Sequence, residues 1–184
     1  MTARELGTLL VVYATTLLVA TLAWIVLFHT PLLAGSVFFY RGLILLALVG
    51  LVVAVVLFAL LHTLLRGLLG IRDILLILSL LLSLNVVFFT HLPVTADRSV
   101  SVFMLAWMNR ADEPLTAEEI EQGIVQEYVI DREAIAKRLE EQLVTGTLVA
   151  EGDGYVLSDE GRSLIALYEL IARAFNIETD NLSP

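Results

Sequence analysis

The sequence predicts a mostly α-helical chain, with a three-helix transmembrane bundle followed by a small acidic α+β domain. Three long apolar stretches occupy residues 6–92, and the sequence becomes polar after His91-Leu92-Pro93. Residues 1–96 hold four basic and two acidic side chains, whereas residues 97–184 hold seven basic and eighteen acidic ones. Apolar residues make up 58% of the chain, which is more than a globular protein uses. We therefore expect residues 1–92 to form a transmembrane domain.

Each apolar stretch is long enough to cross a bilayer. About 20 helical residues span a hydrocarbon core of about 30 Å, and the predicted spans are residues 6–28, 37–65 and 74–92. The first apolar run is longer than that of a cleaved signal peptide, which predicts an uncleaved signal anchor. A linker is predicted over residues 93–98 and a soluble domain over 99–184.

Three spans predict how the loops divide between the two sides of the membrane. The N-terminus and the loop at residues 66–73 fall on one side, and the loop at 29–36 falls with the acidic domain on the other. The excess of positive charge on the first side is about one, so the positive-inside rule leans toward an exterior acidic domain. The sequence leaves the sidedness open.

Polar residues in the third span predict a helix-packing seam. Ser79 and Ser83 are four residues apart and share a face with Thr90, which is a small-xxx-small pattern that permits close helix approach. Asn85 lies on a different face and is a candidate for a hydrogen bond across an interface. Two interpretations remain: packing within the bundle, or docking onto another membrane protein.

The histidines and the lack of cysteine bear on metal and enzyme chemistry. His29 and His91 are predicted at one membrane surface and His62 at the other, which is too few ligands for a usual metal or haem site. We interpret them as interfacial anchors. The chain contains no cysteine, and no nucleophile stands near a predicted base. The sequence predicts no catalytic residue, no metal and no cofactor, so a non-enzymatic protein is expected.

Capping residues predict four helices in the acidic domain. The predicted helix starts are Asp97 or Ser99, the Thr116–Glu119 capping box, Asp131 and Ser158. A hairpin around Gly152-Asp153-Gly154 is expected between the last two helices. The side chains expected to face the core are Ile120, Ile124, Tyr128, Ile135, Leu139, Leu143, Tyr155 and Leu157.

Two segments of this domain carry a family resemblance. Lys137-Arg-Leu-Glu-Glu-Gln-Leu-Val-Thr-Gly-Thr-Leu-Val149 and Gly154-Tyr-Val-Leu-Ser-Asp-Glu-Gly-Arg162 resemble the run from recognition helix through wing in winged-helix regulators of the MarR and PadR types. The resemblance covers about residues 112–170. It implies a winged-helix fold, and in those families the function is DNA binding.

The charges depart from a DNA-binding pattern. The predicted wing tip carries Glu151 and Asp153, and Lys137 is spaced to pair with Glu133 and Glu141. A domain with a net charge of −11 is repelled by the phosphate backbone of DNA. Nucleic acid is therefore an unlikely partner, and a winged helix that docks a protein is the preferred interpretation.

Two surfaces are candidates for contact with a partner. Asp97, Arg98 and Ser99 form a polar cluster directly after the membrane domain. The first and last helices of the acidic domain are more apolar than one buried face requires, and they predict a partner or homodimer face at Phe103, Trp107, Tyr168, Ile171 and Phe175.

The resulting hypothesis is a non-catalytic membrane accessory or scaffold subunit that docks a protein partner at the bilayer. A membrane synthase, a glycosyltransferase or a transporter is the kind of host that this architecture suggests. The alternative is a membrane-tethered winged-helix transcription regulator, which requires a cytosolic domain and a basic surface.

Overall fold

The computed structural model describes residues 2–111 and 113–175 and divides them into two compact units that meet in sequence between Val102 and Phe103. The first unit contains α1 (Ala3–Leu27), α2 (Phe38–His62), α3 (Ile71–His91), α4 (Pro93–Arg98) and the start of α5 (Val100–Met108). The second continues through α6 (Ala117–Gly123), a π-helix (Ile124–Asp131), α7 (Ala134–Val144), strands β1 (Leu148–Glu151) and β2 (Gly154–Leu157), and α8 (Asp159–Phe175).

Three helices are long and apolar enough to cross a membrane. They are α1, α2 and the continuous stretch Ile71–Arg98, with mean hydropathies of 2.3, 3.3 and 2.3. Their outward side chains are largely apolar, as lipid contact requires. This agrees with the prediction of a membrane protein built on three apolar helices.

Local capping explains where α1 and α3 begin. The Thr2 hydroxyl accepts from the Glu5 N–H at 3.2 Å, and the Glu5 carboxylate accepts from the Thr2 N–H at 2.7 Å, so α1 begins at Ala3. The Asp73 carboxylate accepts from the Gly70 N–H at 2.8 Å, so α3 begins at Ile71. Both helices start three residues before the predicted spans, because polar residues of the first turn were assigned to the loops.

The segment predicted as a linker, residues 93–98, forms the short helix α4. Proline suits the first turn of a helix, because its φ is helical and its missing N–H has no partner there. Pro93 occupies that position, and the Ala96 N–H donates to the Leu92 carbonyl at 2.8 Å. The proline therefore separates two helices and does not end the helical path.

The interior of the helix bundle in the first unit is filled by large side chains. The least exposed of them are Trp24, Phe89, Leu45, Leu46, Ile77 and Leu81. The indole N–H of Trp24 donates to the Gly42 carbonyl at 3.0 Å, and this bond joins the last turns of α1 to the first turns of α2. At this end of the bundle the core is aromatic, and toward the other end it becomes aliphatic around Leu57 and Ile77.

The second unit has the predicted order of helices, antiparallel hairpin and final helix. The Thr116–Glu119 capping box is confirmed: the Thr116 hydroxyl accepts from the Glu119 N–H at 3.3 Å. The prediction that Asp131 caps the next helix is wrong. The π-helix extends through Asp131, whose carboxylate accepts from the Gln126 amide at 2.8 Å, and α7 begins only after Glu133, which takes a left-handed φ of 49°.

The expected core positions of α7 and the hairpin are also corrected. Ile135 is 59% exposed, and Tyr155 and Leu157 are 52% and 44% exposed. Because α7 begins at Ala134, its inner face carries Ala134 and Glu141. The two-stranded hairpin is exposed along nearly its whole length, so its alternation of apolar side chains does not correspond to one buried face.

Candidate interaction surfaces

Some polar residues of α3 lie inside the helix bundle of the first unit and others lie on its outer surface. Asn85 is 4% exposed, and its amide donates to the Leu81 carbonyl at 2.8 Å. Thr90 is half-buried and donates to the Val86 carbonyl at 2.9 Å. Ser79 and Ser83 are exposed, so they lie on the outer surface and take no part in the bundle core. The structure therefore does not unite the four residues in one seam.

The membrane-proximal cluster Asp97-Arg98-Ser99 lies where α4 passes into α5. The Ser99 hydroxyl accepts from the Val102 N–H at 3.2 Å, so of the two predicted caps it is Ser99 that starts α5. Asp97 and Arg98 are half-buried, and each takes part in further interactions. The cap gives Ser99 a structural role at the helix junction.

Two of the five residues predicted for a partner face are engaged inside the second unit. Phe103 is 8% exposed, with its ring centroid 5.0 Å from that of Tyr128 and the Arg132 guanidinium 4.8 Å away. The indole N–H of Trp107 donates to the Glu127 carboxylate at 2.6 Å. Both side chains hold α5 against the π-helix, so neither belongs to an open face.

The other three residues of the predicted face are exposed on α8, a helix in which Gly161 and Ala172 are the buried residues. Tyr168 is 49% exposed, Ile171 38% and Phe175 76%. Leu164 precedes them at helical spacing and is 37% exposed, so the four side chains form one stripe along the helix. We call Leu164, Tyr168, Ile171 and Phe175 the α8 stripe.

The ionic residues of α8 pair with each other along the helix. Arg162 lies 3.0 Å from Asp159, and Arg173 lies 3.3 Å from Glu169. The basic side chains of α8 are thereby balanced by neighbouring carboxylates. The exposed apolar surface of α8 also includes Leu167 and Leu170, at 50% and 64%, and the α8 stripe is the part of it that contains the residues predicted for a partner face.

The helix that the family resemblance places as a recognition helix, α7, presents a mixed surface. Ile135 and Val144 are 59% and 66% exposed. Arg138 lies 2.6 Å from Glu141, and Arg132, just before the helix, stacks on Phe103. Lys137 is also engaged in an interaction. The basic side chains of this region are thus engaged in contacts, while Ile135 and Val144 are exposed.

A close junction fixes the start of α8 against the end of α7. The Ser158 hydroxyl donates to the Gly146 carbonyl at 2.7 Å and accepts from the Gly161 N–H at 3.0 Å, which confirms Ser158 as the predicted helix cap. A Cβ on Gly161 would collide with the Thr147 carbonyl oxygen. This position therefore requires glycine, and it sets the direction in which the α8 stripe leaves the hairpin.

The three histidines lie on the surface of the first unit. His91 Nδ1 is 2.9 Å from the Val87 carbonyl, and the ring of His62 packs edge-on against Phe58. His29 is exposed beside an aromatic-lined cleft. Among the described residues no three side chains of the metal-ligating types come together.

Several contacts join residues that are far apart in the sequence, and the sequence patterns did not predict them. The Tyr13 hydroxyl donates to the Asp73 carboxylate at 3.0 Å, and Glu127 joins Trp107 to Arg110. The partners are 60, 20 and 17 residues apart, so no helical or strand periodicity relates them. Polar residues at the edges of the apolar segments, such as Asp73, were the signal for these contacts that the sequence offered.

No family model, curated protein or solved structure matches the chain.

Acidification is expected to weaken the contact between α5 and the π-helix. Hydrogen bonds from Trp107 and Arg110 lower the pKa of Glu127 from its ordinary 4.5. Because this pKa is lower in the folded state than in the unfolded state, the stability that the carboxylate contributes is fully present above its unfolded-state pKa. That contribution is lost as the pH falls through the folded-state pKa. The urea concentration at which the second unit unfolds should therefore fall below about pH 4.5. Fluorescence emission of Trp107, in a Trp24→Phe variant that removes the other tryptophan, measures it.

The Glu127→Gln variant should already be weakened at neutral pH and should lose part of this pH dependence. Glu118→Gln is the matched control, because the hydrogen bond that Glu118 forms among the described residues is to Gln122 of its own helix, at 3.3 Å. An unchanged pH profile in Glu127→Gln would refute the assigned role of the carboxylate.

Proposed function

We propose that the chain is a non-catalytic membrane accessory subunit whose acidic second unit docks a protein partner. The observation that carries the proposal is the α8 stripe, four large apolar side chains that are 37–76% exposed on one helix face. Contiguous exposed apolar surface on a soluble unit marks an interaction site. The three apolar helices of the first unit hold this surface at a membrane.

A protein fits the stripe better than a lipid surface or a nucleic acid. Helices that lie on membranes combine an apolar face with lysine and arginine on the polar face. α8 has no lysine, and both of its arginines pair with carboxylates. DNA binding requires unpaired cations against phosphate, whereas Arg132 and Arg138 are held within the unit and the hairpin tip carries Glu151 and Asp153.

The winged-helix interpretation is part of the same proposal. The order of three helical segments, hairpin and last helix supports it, as does the tight junction of Ser158 with Gly146 and Gly161. In this interpretation the wing and the recognition helix support a protein-binding surface. A membrane-tethered DNA-binding regulator remains the alternative that the test below addresses.

The test compares stripe and control variants of the full-length chain in its native membrane. Extraction in lipid discs should yield a complex with a second protein in fixed stoichiometry. The Tyr168→Ser/Ile171→Ser variant should weaken that association at least tenfold, because buried apolar anchors contribute about 2 kcal/mol or more at interfaces. Glu160→Ser, in the polar first turn of α8, should leave it unchanged.

Three outcomes would reject the proposal. The stripe variant could retain the complex in full, the associated species could be a second copy of the chain, or the intact chain could bind duplex DNA with a steep salt dependence. The last outcome would favour the regulator.

A further inference from the structure

The arginine side chains of the chain differ in whether they have a partner. Arg4, Arg66 and Arg72 are exposed, and within the part of the chain that the structure describes their guanidinium groups form no hydrogen bond or ion pair. Each of the other lysine and arginine side chains is engaged with a carboxylate, a backbone carbonyl, an aromatic ring or another group. Arg41, for example, donates to the Thr30 carbonyl at 2.7 Å. The three arginines without such a contact are therefore a distinct set.

The three arginines lie at one end of the helix bundle in the first unit. Arg4 is in the first turn of α1, Arg72 is in the first turn of α3, and Arg66 is in the turn that joins α2 to α3. The last turns of α1 are bonded to the first turns of α2, and the Tyr13 hydroxyl ties the first half of α1 to Asp73 in the first turn of α3. The start of α1, the end of α2 and the start of α3 are consequently at the same end. We call Arg4, Arg66 and Arg72 the arginine end.

Two carboxylates share this end of the bundle, and both are bonded to helix starts. The Glu5 carboxylate accepts from the Thr2 N–H at 2.7 Å, and the Asp73 carboxylate accepts from the Gly70 N–H at 2.8 Å and from the Tyr13 hydroxyl at 3.0 Å. Neither forms an ion pair with an arginine among the described residues. The carboxylates lower the net positive charge of this end, but they leave the guanidinium groups open to an anion from outside the unit.

Exposed apolar side chains border two of these arginines, and they distinguish a lipid from a soluble anion. Leu64 is 84% exposed two residues before Arg66, and Ile71 is 64% exposed directly before Arg72. Inorganic phosphate or an acidic peptide would cover the guanidinium groups and leave the apolar groups in water. A phospholipid covers both, because its phosphate accepts from arginine in bidentate geometry and its acyl chains surround the neighbouring apolar groups. Arginine near the end of an apolar helix extends to the headgroups in this way.

We infer that the arginine end binds the phosphate of an anionic phospholipid headgroup. The helices that meet at this end are long and apolar enough to cross a bilayer, so the headgroup layer lies where they end. An anionic headgroup is preferred over a zwitterionic one, because the zwitterionic headgroup carries its own cation whereas anionic lipid attracts basic side chains. The lipid site rests on the membrane placement of the proposed function, and it is independent of the α8 stripe.

Contact quenching measures the lipid preference of the full-length chain in phosphatidylcholine discs. Because the chain contains no cysteine, a single fluorophore can be attached at Thr63→Cys, an exposed position close to Arg66. A minor share of the lipid is phosphatidylglycerol or phosphatidylcholine that carries a nitroxide near the top of one acyl chain, and the ratio of quenching by the two gives the preference. Phosphatidylglycerol should be preferred about fivefold at low salt, which is the effect of about one basic residue near an anionic surface. The two carboxylates offset the remaining positive charge.

Paired substitutions identify the arginines as the source of the preference. In the Arg66→Gln/Arg72→Gln variant the two lipids should quench equally, and folding should be unaffected because neither guanidinium has a partner within the described residues. The Arg66→Lys/Arg72→Lys variant should retain a preference, since the charge remains while the bidentate geometry is lost. The matched control is Arg162→Gln/Arg173→Gln, which removes the same charge from arginines that pair with carboxylates of α8. It should leave the preference unchanged.

Equal quenching by the two lipids without these substitutions would overturn the inference, as would a preference that persists in the glutamine variant or that the α8 control removes. Loss of the preference on adding inorganic phosphate at constant ionic strength would assign the arginines to a soluble anion and overturn it as well. Loss of the protein partner in the α8 stripe variant, with an intact lipid preference, refutes the proposed function alone. A chain that does not enter the discs refutes the membrane placement that both proposals share.

Discussion

Replacing Phe89 with alanine is expected to destabilise the membrane bundle by about 2–4 kcal/mol. The ring is 1% exposed, and its centroid lies 5.4 Å from those of Trp24 and Phe38 and 5.8 Å from that of Phe28. The cost should fall somewhat below that of a soluble core, because lipid solvates the ring when the helices separate. Denaturation by sodium dodecyl sulfate in mixed micelles, followed by Trp24 emission, measures it.

Substitution of Gly42 provides a second test of the packing around Phe89. A Cβ on Gly42 would overlap the Phe89 ring, so Gly42→Ala should destabilise the wild-type bundle. In a Phe89→Leu background, which frees space at that point, the same substitution should cost less. Additive effects of the two changes would contradict the packing described here. Phe88→Ala, at a neighbouring position that is 43% exposed, serves as the control.

The Gly161→Ala substitution is expected to have the largest effect in the second unit. The added Cβ would overlap the Thr147 backbone and lie 2.5 Å from the Leu157 side chain, so the junction of hairpin and α8 has to move. Overpacking of this kind costs about 1–3 kcal/mol, from which the better helix propensity of alanine recovers up to about 1 kcal/mol. Amide hydrogen exchange in β1 and β2 should accelerate accordingly.

Gly154→Ala is the matched control for Gly161. Its nearest neighbour is the Glu151 carbonyl oxygen at 3.9 Å, an ordinary contact, so a methyl group is accommodated there. Faster exchange in both variants to the same degree would indicate a general weakness of the hairpin. That result would argue against a specific junction at Gly161.

The sequence predicted the features that depend on local chemistry. The three long apolar helices follow from the length of their apolar runs. The starts of α5, α6 and α8 follow from the side-chain caps at Ser99, Thr116 and Ser158. Each of these signals lies within a few residues of the structure that it specifies, so it can be read from one segment alone.

The errors arose where distant packing decides the structure. The π-helix displaces the start of α7, and this turns Ile135 outward although its spacing fits a buried face. From the sequence alone Phe103 and Trp107 are in excess of one buried face, because their contacts with Tyr128 and Glu127 join residues that are distant in the sequence.

The central claim is that the α8 stripe contacts a protein, and site-specific photo-cross-linking in intact membranes tests it most directly. A photoreactive amino acid at Tyr168 should yield an adduct with one distinct protein, and the same group at Glu160 should not. An adduct containing only lipid, nucleic acid or a second copy of the chain would contradict the claim, as would equal yields at both positions.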